Sequence, residues 1–79
     1  MTVEDQIFWI NNIVAEHKDV LLSADCGKYY AIEYGGEDSD SIVLAYTKEG
    51  GTESFFLSSL PDHIIDFIYN DLLVDFGKE

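Results

Sequence analysis

The chain has 79 residues, sixteen of them acidic against four lysines and no arginine, for a formal net charge of −12. That length holds one domain with a small core, residues 1–79. A hydrophobic share of 47% with five Phe, five Tyr and one Trp excludes an acidic disordered tail, which is poor in aromatic residues.

Thr2, followed by Asp5 three residues later, has the pattern of a capping box, with Asp in place of the usual Glu or Gln. Val3, Ile7, Ile10 and Val14 recur at helical spacing, flanked by Trp9 and Ile13, and predict an amphipathic helix over about 2–18. Glu4 and Asp5 suit its N-terminus, His17 and Lys18 its C-terminus. Val20 to Ala24 is a short apolar strand, and Asp25-Cys26-Gly27 a turn. Lys28 to Tyr34 is aromatic-rich and β-prone, with Tyr30, Ile32 and Tyr34 on one face and Tyr29, Ala31 and Glu33 on the other. An acidic loop, Gly35 to Ser41, leads to the strand Ile42 to Thr47. Lys48 to Gly51 forms a hairpin turn whose glycines permit positive φ, and Thr52 to Leu57 returns. Ser59 to Asp62 starts a second helix, with Ser59 as cap and Pro61 in the first turn. Ile64, Ile65, Ile68 and Leu72 form its apolar stripe, and Gly77 ends it. The expected architecture is α+β: an N-terminal helix, a three- to four-stranded antiparallel sheet and a C-terminal helix, with both helices on one sheet face.

Charge selects the partners. Nucleic-acid binders neutralise phosphates with Lys and Arg. Lys18, Lys28, Lys48 and Lys78 stand singly, so direct nucleic-acid binding is not expected, and an anionic membrane surface is disfavoured. A cationic protein surface is the natural partner. One cysteine, Cys26, cannot form an internal disulfide and suits a reducing cytoplasm. The opening MTVEDQ has no signal-peptide pattern, and no apolar run approaches the roughly 18 residues that span a bilayer.

The motifs of catalysis and metal binding do not fit. Counting Asp38 as position 1 of a calcium loop places Asp40 at 3 and Glu49 at 12. It also places Val43 where the loop needs glycine. Cys26 sits beside Asp25, whose charge disfavours the thiolate, and neither His17 nor His63 lies in a catalytic motif. The expectation is a non-enzymatic protein with no cofactor and no metal.

The acidic residues concentrate instead in the strand region: Glu33, Glu37, Asp38, Asp40, Glu49 and Glu53. An extended Asp38–Asp40 pair would sit roughly 6.6 Å apart, two strand rises, a spacing similar to that of neighbouring phosphates. Phe8, on the helix wheel, points away from the apolar stripe, and Phe67 and Val74 lie off the stripe of the second helix. With helices on one sheet face only, one tyrosine set, that of Tyr29 or that of Tyr34, is partly exposed. Aromatic residues within a charged rim are the composition of an interface.

In size, in charge and in "EDSD" with Glu49 and Glu53 on a helix–sheet–helix scaffold, the chain resembles the small acidic inhibitors encoded by phages and mobile elements, the anti-CRISPR proteins and other DNA mimics. That resemblance implies no catalysis and no cofactor. It implies an inhibitor in the host cytoplasm whose carboxylates occupy a nucleic-acid-binding groove on a defence protein. An immunity protein or antitoxin against a basic nuclease would use the same surface. A third reading is a homodimeric interaction domain: "FIYNDLLVDF" is apolar nearly all round the wheel, and such a helix is usually buried on more than one side.

Overall fold

The computed structural model describes residues 1–24, 28–36, 40–46 and 49–77, with the side chains of 23, 24, 28 and 29 outside that description. The order is α1 (Val3–His17), β1 (Val20–Ala24), β2 (Lys28–Glu33), β3 (Ile42–Tyr46), β4 (Thr52–Phe56), a 3-10 turn (Leu57–Ser59) and α2 (Asp62–Phe76). The expected α+β architecture is found, with four strands in the sheet.

The capping box forms. The Asp5 N–H donates to Thr2 Oγ1 and the Thr2 N–H to Asp5 Oδ2, both at 3.2 Å, so two donors left open by the first helical turn are satisfied reciprocally. The α1–β1 connection has no glycine. Lys18 (φ 33°) and Asp19 (φ 60°) both take positive φ. Asp tolerates the left-handed region; lysine at that φ stores backbone strain of about 1–3 kcal/mol. The turn is so short that β1 follows α1 after two residues.

The sheet is an antiparallel meander in the order β1-β2-β3-β4. Its register aligns Val20, Ile32, Val43 and Phe55 in one row and Leu22, Tyr30, Ala45 and Glu53 in another. Residues directly opposite in antiparallel strands share a face, and the strand residues of these rows on β1 to β3 are buried. They meet Ile10 and Val14 of α1 and Ile65, Ile68 and Leu72 of α2 in a single core, with Leu57 of the 3-10 turn. Both helices therefore cover one face. They run side by side in the same direction: Gln6 hydrogen-bonds Asp66, Trp9 packs edge-on against Tyr69 with centroids 5.1 Å apart, and His17 lies 4.4 Å from Phe76.

Two expectations at the start of α2 change. Pro61 caps the helix from outside instead of sitting in its first turn, and Ser59 is not the cap. Leu57, fully buried, draws the chain into the 3-10 turn, where the Leu60 N–H donates to Leu57 O and Ser59 Oγ to Phe56 O. Gly77 does end α2, at φ −85°. No left-handed turn is involved; a β-carbon there would come within 2.6 Å of Leu73 O. The expected Asp25-Cys26-Gly27 turn lies outside the described residues, as do Thr47 and Lys48 of the hairpin, although Gly50 in that hairpin has the anticipated positive φ of 83°.

Candidate interaction surface

Three of the sequence-chosen residues come together where α1 crosses the entry to β3. Phe8 is 71% exposed. With Asn11, Asn12, Tyr34, Gly36 and Ser41 it lines a groove of about 250 Å³. Tyr34 is half-buried, with the Lys18 ammonium 5.4 Å from its ring centroid. The Tyr34 ring is thus partly covered by a cation of the protein's own, a contact worth about 0.5–1 kcal/mol at an exposed site.

Asp40 belongs to this corner but not as a free charge. Its Oδ1 accepts from Asn11 Nδ2 at 3.5 Å, and its Oδ2 accepts from Ser58 Oγ. Asn11 Oδ1 accepts in turn from the Ser41 N–H at 2.9 Å, and Ser41 O accepts from the Leu57 N–H at 2.9 Å. Ser41 is only 2% exposed. These five residues clamp α1, the start of β3 and the 3-10 turn, so the carboxylate is held as a hydrogen-bond acceptor for two donors.

Glu33, Glu49 and Glu53 are exposed but do not form one cluster. Glu33 pairs with Ile42 at one end of β3, while Glu53 pairs with Ala45 toward the other, roughly 10 Å along the strand. Glu53 also faces the helix side of the sheet and Glu33 the opposite side, by the period of two. Glu37, Asp38 and the Tyr29 side chain lie outside the described residues.

Further carboxylates were not among the site residues chosen by sequence. Glu4, Glu16, Asp19, Asp62 and Asp75 are exposed and Asp71 half-buried, and none is bonded to another group among the described residues. Asp66 is engaged, accepting from Gln6 Nε2 at 2.8 Å. The Thr2 backbone N–H holds Asp5 below the ordinary 3.8, with the Thr2 side chain acting in the same direction. Acidity is therefore spread over helices, turns and sheet. Their i, i+4 repeats on α2 (Asp62 and Asp66, Asp71 and Asp75) were the available signal.

The open face of the sheet was expected; the apolar stripe on it is the second missed feature. Leu21, Ala31, Leu44 and Ser54 align across it, and Glu33, Ile42 and Phe56 in the next row. Leu21 is 75% and Phe56 57% exposed; Ala31, Ile42, Leu44 and Tyr46 are half-buried. The signal was in β3, "IVLAY", apolar at every position. A strand that is covered on one side only alternates apolar with polar residues, and this one does not. On α2, Phe67 and the still more exposed Val74 flank a shallow groove with His63 and Asn70.

No helix among the described residues is long and apolar enough to cross a membrane. Comparison with protein-family models, with curated proteins and with solved structures finds no match for the chain.

Proposed function

We propose that the protein is a non-enzymatic acidic binding protein that inhibits a basic partner by occupying the partner's nucleic-acid-binding surface. The observation that supports this is the set of exposed carboxylates with no bonded partner among the described residues, carried by both helices, the turns and the sheet of a domain measuring 37 × 25 × 21 Å with a net charge of −12. Charge used only for solubility needs a smaller excess, because self-repulsion opposes compaction. A basic surface meeting this protein would exchange phosphates for carboxylates. Association would be fast and salt-dependent through electrostatic steering. The mode of action is that of the DNA-mimic inhibitors.

The test is affinity capture from a bacterial lysate, identification of the partner by mass spectrometry, and competition between the protein and an oligonucleotide for that partner. Stoichiometric displacement is expected. Neutralising Glu37→Gln, Asp38→Asn, Glu49→Gln and Glu53→Gln together should slow association and flatten its salt dependence. Asp40 is left unchanged in this variant because it holds the clamp. A partner that binds the protein and an oligonucleotide simultaneously and independently would refute the reading.

A further inference from the structure

We infer that the open face of the sheet is the affinity-bearing half of the interface, and that it takes an amphipathic helix of the basic partner. This rests on the acidic-binder reading and adds the apolar component that charge alone does not supply.

Leu21, Ala31, Ile42, Leu44 and Phe56 form a diagonal apolar stripe from β1 to β4, on the side away from both helices. Three strand spacings and one two-residue step make it about 16 Å long. A helix of about eleven residues has that length. Such a helix carries apolar side chains on one face at positions three and four apart, which is the pattern a single stripe can seat.

Charge complementarity selects the sign of the helix. Glu33 stands on the same face beside Ile42, Asp19 precedes β1 at that end, and Glu49 lies in the hairpin turn at the other end. A helix with leucine-like residues on the stripe and lysine or arginine on its flanks meets carboxylates at both ends. Charged rims of this kind raise the association rate and exclude wrong partners. A second copy of this chain fits badly. It would bring two bodies of −12 together over a patch of about 250 Å², from four strands and two residue rows, where a stable interface takes about 800 Å² from each partner.

The experiment uses synthetic probes on the full chain: a helical Leu/Lys peptide, a Leu/Glu peptide of the same pattern, and oligolysine. Binding is read by fluorescence anisotropy, its position by amide chemical shifts, and self-association by sedimentation. The Leu/Lys peptide is expected to bind at least tenfold tighter than oligolysine or the Leu/Glu peptide, with shifts confined to β1–β4. Leu21→Ser with Phe56→Ser should remove that tenfold advantage while leaving oligolysine binding and the circular dichroism spectrum unchanged, since both side chains are exposed and surface substitutions are usually tolerated. Shifts confined to α2, equal binding by the double variant, equal binding by the Leu/Glu peptide, or a salt-resistant dimer that the double variant dissolves would each overturn the inference. If oligolysine binds and the Leu/Lys peptide gains nothing over it, only the sheet-face inference falls. If neither cationic probe binds, the acidic-binder reading falls with it.

Discussion

Replacing Asn11 by alanine tests the clamp at the α1–β3 corner. The Asn11 side chain accepts from the Ser41 N–H at 2.9 Å and donates to Asp40 at 3.5 Å. The second contact is long and contributes little. The first is the one that counts, because Ser41 is 2% exposed and its N–H has no water to turn to. A buried donor left without an acceptor costs about 1–3 kcal/mol. In a domain of this size 1 kcal/mol shifts the melting temperature by roughly 4–8 °C. Asn11→Ala should therefore melt about 8–16 °C below the parent, taking about 2 kcal/mol as the central cost. Asn12→Ala is the control: Asn12 is exposed and donates only to Phe8 O in its own helix at 2.9 Å, so its variant should stay within a few degrees. Thermal denaturation followed by circular dichroism reads both. Equal melting of the two variants would show that the Ser41 N–H finds another partner and that the corner is not clamped.

Ile68→Ala removes a side chain that is 1% exposed at the centre of the helix–sheet core. It should cost ~2–5 kcal/mol, a large share of the ~4–12 kcal/mol typical of a domain this size; a melting shift of only a few degrees would displace Ile68 from the core. Screening should stabilise the domain. Raising the ionic strength from about 0.01 M to about 0.15 M shortens the Debye length from about 30 Å to about 8 Å, below every dimension of the molecule, so the melting temperature should rise; a flat or falling one would mean that the carboxylates are locally paired. Asp5 gives a pH signature: its pKa is lowered in the folded state, so its contribution to stability is complete above the ordinary 3.8 and is lost as pH falls through that value and on through the folded pKa. The stability gap between parent and Asp5→Asn should be widest near neutral pH and close in acid. A gap that persists unchanged in acid would detach Asp5 from the cap.

Much of the architecture was legible because its signals are local. The spacing of Ile10, Val14, Ile65, Ile68 and Leu72 located both helices and the faces they bury, and the Thr2–Asp5 pair located the start of α1 within a residue. Glycine marked the β3–β4 turn through Gly50. The α1–β1 turn was not legible. It uses Lys18 and Asp19 at positive φ, which no propensity favours for lysine, and the packing of α1 onto the sheet imposes it. Nor was the role of Asp40. Read along the chain, it is the last carboxylate of an acidic loop. In the folded protein its oxygens face Asn11, twenty-nine residues before it, and Ser58, eighteen after it, and no local pattern encodes those distances. The start of α2 slipped for a related reason: Leu57 has the tertiary contact that fixes the 3-10 turn, and Ser59 follows the chain.

The separation of the carboxylates into two populations bears on how the surface works. Asp5, Asp40 and Asp66 each accept a hydrogen bond that joins one element to itself or to another, so their charge is part of the fold. Glu4, Glu16, Asp19, Glu33, Glu49, Glu53, Asp62 and Asp75 are exposed and bonded to nothing among the described residues. Each of these adds repulsion to the folded state without a compensating contact within it. Evolution removes such a cost easily, since any single surface carboxylate can be exchanged with little effect on packing. On the proposed reading, the exposed carboxylates of the helices, turns and sheet would supply charge for the encounter, and the open apolar sheet face buried area for the residence time.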